Sequence, residues 1–182
     1  MAISALDVDR VEEAVFKSSV LMMQLEVPMA AIVRAAALAR KAGSIVILDP
    51  APAPQSLPAE LYQWAHITTP NESETEKLTG IKPIDTRTAG AAADILIKRG
   101  LQTAIIKLGK DGACYFSKNQ AGFIPPFNVP VVDSVAAGDS FNGGLATGLA
   151  RGLSLSESIY WCPVSAADVK RPATFSNNSI CE

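Results

Sequence analysis

Short apolar runs alternate with helix-patterned stretches along most of this chain, and that alternation restricts the folds open to it. The run Ser19-Val20-Leu21-Met22-Met23-Gln24-Leu25 is continuously apolar but for its ends, as expected of a strand buried on both faces of a parallel sheet. Pro28 opens a helix that continues through an Ala-rich stretch to Lys41 and stops at Gly43. Ser44-Ile45-Val46-Ile47-Leu48 is a second buried strand, which completes a β-α-β unit. Ahead of it, residues 7–17 pattern as one helix with Val8, Val11, Ala14 and Val15 on one side. After it, the three prolines of Asp49-Pro50-Ala51-Pro52-Ala53-Pro54 exclude helix and sheet and impose an extended loop.

The alternation then continues. A short helix at 59–64 leads to an edge-like strand at 66–68, and helices at 72–79 and 88–98 end at Gly80 and Gly100, each placed to be a left-handed cap. Residues 103–108, 113–117 and 122–127 pattern as strands, with Gly109-Lys110-Asp111-Gly112 as a tight turn and 129–132 as a further extended stretch. Such a series implies an α/β fold, with an open, mostly parallel sheet covered by helices and ligands bound beyond the carboxyl ends of its strands.

Composition excludes several classes of function. At 182 residues, 48% hydrophobic and 19% charged, the chain can bury one substantial core. A net charge of −2 without a basic cluster argues against nucleic acid as a partner. No apolar stretch is long enough to span a membrane, and the first ten residues lack the blocks of a secretory signal, so a cytoplasmic location is expected. Cys114, Cys162 and Cys181 lack metal-type spacing and form no disulfide framework. His66 is the only histidine, which leaves no His-cluster metal site.

Chemistry concentrates in Val132-Asp133-Ser134-Val135-Ala136-Ala137-Gly138-Asp139-Ser140-Phe141-Asn142-Gly143-Gly144. Small residues at 136–138 let backbone N–H groups approach a phosphate, and a helix starting near Asp139 adds the partial positive charge of its N-terminus. Asp139 then stands where it could accept the proton of a reacting hydroxyl. Asp at a helix start after a Gly-containing turn also serves capping and close packing alone. Beyond Asp139, Phe141, Leu145 and Leu149 recur at helical spacing as a core stripe, with Gly143, Gly144 and Gly148 on a side small enough for close approach.

Asp133, Ser134, Gly138, Asp139 and Phe141 match the pattern D-[ST]-x-x-x-G-D-x-F, and the run resembles the second signature of the PfkB carbohydrate kinase family. The resemblance implies a ribokinase-like three-layer α/β/α fold with Asp139 as catalytic base and the amides of Ala136, Ala137 and Gly138 as anion hole. Asn71 and Glu74, in Thr69-Pro70-Asn71-Glu72-Ser73-Glu74, form a capping box on sequence grounds. They also match the family's N-x-x-E motif, which organises Mg²⁺ and its waters around the phosphates, and the two readings are compatible. Leu108-Gly109-Lys110-Asp111-Gly112 resembles the family's L-G-x-x-G turn along the nucleotide, although a plain hairpin turn accounts equally for its glycines. With Asn71, the nucleotide contacts implied are Lys107, Gly109 and Gly112.

Within the family, Met22-Met23-Gln24-Leu25-Glu26 and Asp49-Pro50-Ala51-Pro52-Ala53 most resemble ribokinases, which show M-Q-L-E and N-P-A-P-A there. Glu26 thereby corresponds to a sugar contact, beside the plain reading of a solvated carboxylate before a helix. Asp133 and Val135 correspond to ligands of a K⁺ ion. The expected reaction is ATP-dependent phosphorylation of a small sugar, D-ribose to D-ribose 5-phosphate, with another sugar or a nucleoside, or a non-catalytic nucleotide-binding fragment, as alternatives. The likeness runs over residues 1–159, a partial kinase domain, and residues 160–182 form a divergent tail with Pro163 inside the expected helix. The family's first strands, lid and Gly-Gly signature have no counterpart, so self-association, for instance as a homodimer, and weak turnover by the chain as written are expected.

Overall fold

The computed structural model describes residues 3–126 and 137–166, and of residues 137 and 161–166 the backbone alone. The extended stretch expected at 129–132 lies outside them.

Six strands form one sheet in the order of the sequence: β1 (Val20–Met23), β2 (Ile45–Leu48), β3 (Ile67–Thr68), β4 (Thr103–Lys107), β5 (Ala113–Ser117) and β6 (Ala121–Ile124). β1 to β4 are parallel, and β4 to β6 are antiparallel. Parallel neighbours need long crossovers, and these carry α3 (Met29–Ala42) between β1 and β2, α4 (Ala59–Trp64) between β2 and β3, and α5 (Glu72–Thr79) and α6 (Thr86–Lys98) between β3 and β4. α1 (Ala5–Asp9) and α2 (Glu12–Lys17) precede the sheet, and α7 (Ala137–Ala150) and α8 (Leu155–Ala166) follow it.

Alternation of side chains along the strands makes three layers. Val46 and Leu48 of β2 and Ala104 and Ile106 of β4 pack with Ile32, Leu38, Leu61 and Leu96 from α3, α4 and α6. Ile47, Ile67 and Ile105 point the other way and pack with Leu145 of α7 and Ile159 of α8. Each such Ile or Leu, buried from water, contributes about 1.5–3 kcal/mol. Phe141 and Leu149 join Leu145 against this second face, as their spacing predicts. No helix of the described residues is long and apolar enough to cross a membrane.

Four local expectations are corrected. The helix expected over 7–17 is two helices, because the backbone at Val11 leaves the helical region (φ −108°, ψ 13°). That turn lets Val8 and Val15 both reach the core while Val11 stays 53% exposed, and Asp9 accepts from Arg34 of α3 at 2.6 Å. β3 is not an edge strand: it lies between β2 and β4, with Thr68 buried and its hydroxyl donating to the Leu48 carbonyl. β1 is an edge of the sheet instead, so Met22 is 44% exposed rather than buried on both faces. The caps also divide: Gly43 and Gly80 are left-handed, whereas α6 ends at Arg99 in the right-handed region and Gly100 follows at φ 119°.

α7 and α8 approach each other through Gly148, where a Cβ would meet the Ser158 backbone at 2.8 Å. Gly148→Ala must push the helices apart and is expected to cost about 1–3 kcal/mol. Urea unfolding checks this, and an unchanged midpoint would show that the two helices do not depend on close approach.

Candidate active site

Because β1 to β4 are parallel, their carboxyl ends lie side by side and the residues beyond them enter one space. Gln24 follows β1, Asp49 follows β2, Thr69-Pro70-Asn71 follows β3, and Lys107 closes β4. The ladder extends slightly past the strands: Asp49 N donates to Met23 O at 2.9 Å, Thr69 N to Leu48 O at 3.2 Å, and Lys107 N to Pro70 O at 2.9 Å. From the opposite layer, the first two turns of α7 bring Gly138, Asp139 and Asn142 to the same end.

Asp49 is the centre of the resulting network and is 2% exposed. Its Oδ2 accepts from Asn142 Nδ2 at 2.7 Å and from Gln24 Nε2 at 3.3 Å. Its Oδ1 lies 3.5 Å from Lys107 Nζ. The same Gln24 nitrogen donates to Asp139 Oδ1 at 2.8 Å, so one amide bridges a buried carboxylate and an exposed one. Lys107 also faces the start of α7, since its Nζ lies 3.6 Å from where a Cβ on Gly138 would stand. Gln24, Asp49 and Asn142 stand within the sequence motifs but gain a site role only from the structure. The signal that could have found the first two is their position as the polar residue next to a strand's carboxyl end.

Asn71 and Glu74 form the expected capping box of α5. Asn71 Oδ1 accepts from Glu74 N, and Glu74 Oε2 accepts from Asn71 N, both at 2.9 Å. A third bond, Asn71 Nδ2 to Glu74 Oε1 at 2.9 Å, ties the two side chains together. Burial raises the Glu74 pKa above its ordinary value; the bond from Asn71 N and the Lys107 charge oppose the rise, and the Asp49 charge adds to it. Glu74 is therefore within electrostatic reach of both Asp49 and Lys107. Among the described residues no group of three or more His, Cys, Asp or Glu side chains could hold a metal directly. Each Glu74 oxygen accepts one bond and keeps acceptor capacity for water, so Glu74 fits a hydrated Mg²⁺ held through its waters, whereas Asn71 Oδ1 already accepts from Glu74 N and Ser73 Oγ and Asn71 serves by fixing the Glu74 carboxylate.

The remaining predicted residues divide by position. Gly109 to Asp111 form one 3₁₀ turn after β4, and Leu108 N donates to Gly112 O at 2.8 Å. Gly112 has φ 93°, and a Cβ there would lie 2.2 Å from the Ile124 carbonyl oxygen, so the hairpin itself requires glycine. Glu26 is exposed, two residues beyond Gln24. Ala137 opens α7, while Asp133, Ser134, Val135 and Ala136 lie outside the described residues. His66 sits just ahead of β3, at the opposite end of the sheet, with Nδ1 accepting from Val46 N and Nε2 against Arg40.

Fold and site define a class: three-layer α/β/α proteins whose polar groups gather where a parallel sheet ends and a helix begins. More narrowly, the chain belongs to the pfkB family of carbohydrate kinases, whose model matches residues 4–167. The ribokinase of Haemophilus influenzae is 39% identical over 165 residues, covering 91% of this chain and 54% of the relative. Mouse ribokinase is 39% identical over 84% of this chain and 49% of its own length. Among solved structures, Arabidopsis thaliana ribokinase complexed with ribose and ATP superposes with a TM-score of 0.79 at 29% identity, covering 87% of this chain and 51% of that one. The Thermotoga maritima ribokinase gives 0.76 at 31% identity, over 93% of this chain and 56% of that one. The chain spans about half the length of the curated relatives it matches.

The Glu74 shift carries a pH dependence. Folding disfavours the ionised form, so the stability linked to Glu74 is fully present below its ordinary value of 4.5 and is lost as pH rises through the elevated folded value. Glu74→Gln keeps the cap but cannot ionise. The stability of the variant relative to the parent is therefore expected to be greater at pH 7 than at pH 4, by urea unfolding at both. Equal differences would refute burial as the cause.

Proposed function

We propose that this chain carries the phosphoryl-transfer site of a ribokinase-type kinase, which moves the γ-phosphoryl group of ATP to a primary hydroxyl of a sugar, D-ribose giving D-ribose 5-phosphate. The observation that carries the reading is Asp139: exposed on the first turn of α7, held on one oxygen by Gln24, and next in sequence to Gly138, which the Lys107 ammonium faces. Asp139 accepts the proton of the attacking hydroxyl as the new bond to phosphorus forms. The amides of Ala136, Ala137 and Gly138 hold the charge that develops on the transferred group, aided by the N-terminal end of the α7 dipole. Lys107 supplies a positive charge to the phosphates, and Gly109, Gly112 and Asn71 lie along the nucleotide.

Mg²⁺, when bound, screens the phosphate charges and orients them for in-line transfer. Asn71 and Glu74 would hold it through water, Glu74 by the acceptor capacity that its capping bonds leave and Asn71 by fixing that carboxylate. Glu26 contacts the sugar, and Asp133 with Val135 contributes to a K⁺ site. The ribose and ATP named for the Arabidopsis complex support this substrate pair. Identity of 37% over 145 residues to the deoxyribokinase of Salmonella typhi supports a second reading, in which the accepted sugar is 2-deoxyribose.

A coupled ADP-release assay with MgATP, K⁺ and either sugar tests the reaction. Within a polypeptide that turns over, Asp139→Asn is expected to lower kcat by about 10²-fold or more with nucleotide affinity retained. Near-normal turnover would remove Asp139 from its role as base. Glu74→Gln addresses the metal: the Mg²⁺ concentration for half-maximal rate is expected to rise, whereas an unaltered Mg²⁺ titration returns Glu74 to capping alone.

A further inference from the structure

The Lys107–Asp49 pair is loose for a pair so sheltered from water. Its side chains are 16% and 3% exposed, yet Nζ and Oδ1 are 3.5 Å apart, well beyond the 2.7–2.9 Å of a charge-assisted hydrogen bond. Breaking a buried ion pair is costly mainly because one charge is left without donors. Asp49 is not left without donors by that change, since Asn142 Nδ2 at 2.7 Å and Gln24 Nε2 at 3.3 Å remain on its Oδ2. Lys107 is the member with somewhere else to go. Its ammonium faces the Gly138 position at the start of α7, and its flexible stem allows a small displacement without backbone movement.

We propose that Asp49 is the resting counter-ion of Lys107, and that phosphate exchanges it: the ammonium leaves Asp49 Oδ1 for a phosphoryl oxygen at the Gly138 turn, while Asn142 and Gln24 keep two donors on Asp49 Oδ2. No covalent bond changes; one ion pair replaces another. The inference rests on the phosphate-binding reading above and adds to it a residue that sets how tightly nucleotide is held. Asp49 lowers nucleotide affinity, because phosphate must compete with it for Lys107. In the empty site the same carboxylate keeps a sheltered ammonium from standing unpaired.

Isothermal titration of the 182-residue chain with Mg²⁺ and the β,γ-imido analogue of ATP tests the exchange, in the parent, Asp49→Asn, Lys107→Met and the double variant. Asp49→Asn removes the competing charge while keeping size and an acceptor, and is expected to tighten binding by about 3- to 10-fold. In the Lys107→Met background the same substitution is expected to change affinity less than about 2-fold, because the competition has no object. Tightening that persists without Lys107 would overturn the exchange in favour of direct repulsion by Asp49. No tightening by Asp49→Asn, in a parent that binds the analogue, would overturn it while leaving the phosphate site standing. Absence of binding by parent and variants alike would remove the phosphate-binding reading and this inference with it. Should Asp49→Asn fail to fold, the parent alone decides: the ¹⁵Nζ signal of Lys107 is expected to move as inorganic phosphate is added, and a stationary signal at saturating phosphate overturns the proposal.

Discussion

A carboxylate buried at the end of a parallel sheet must be supplied with donors or a counter-charge, and Asp49 receives two hydrogen bonds and one cation from three separate parts of the chain. Gln24 comes from the end of β1, Lys107 from the end of β4 and Asn142 from α7, which lies 93 residues further along the sequence. A hydrogen bond to a charged group is worth about 1.5–3 kcal/mol, and leaving such a group without one costs more. The position of α7 over the sheet is therefore tied to Asp49 as well as to apolar packing. Because Gln24 also holds Asp139, the orientation of the exposed carboxylate follows from the satisfaction of the buried one.

Packing and polar chemistry divide the labour along the same elements. The α7 face that carries Leu145, Phe141 and Leu149 covers Ile47, Ile67 and Ile105, which fixes the helix laterally. Gly148 brings α8 close against α7 within the same layer, where Ile159 joins the same cluster. With the helix clamped in this way, its first turn, at the positive end of the helix dipole, opens into the space at the carboxyl ends of β1 to β4. Sheet polarity and helix polarity converge there, which makes that edge suited to an anion.

Asn71 and Glu74 link the capping of a helix to the electrostatics around Asp49 and Lys107. The capping box satisfies the first turn of α5, and the Asn71 Nδ2 to Glu74 Oε1 bond then fixes the carboxylate rotamer. Burial holds Glu74 near Asp49 and Lys107, so a residue whose local task is to end a helix neatly takes part in the electrostatics of the site. Membership of the pfkB family gives this arrangement its context, and the cap explains the residue types without it.

Much of the architecture was legible in the residues themselves. Continuous apolar runs marked β2 and β4, Pro28 and Gly43 bounded α3, and the Asn71–Glu74 spacing marked the start of α5, because these signals act over a few neighbouring residues. The helix start near Asp139 was also a local signal. What the sequence left open was set by neighbours distant along the chain. Whether the short Ile67–Thr68 strand lay at an edge or in the middle depended on β4 pairing beside it, and whether β1 was covered depended on what lay beyond it. The polar network was equally hidden: Gln24, Asp49, Lys107 and Asn142 acquire a common role only when parallel pairing aligns the strand ends and α7 closes over them. Local propensity determines which segments become strands and helices, but a buried charge finds its donors only through the packing that brings remote segments together.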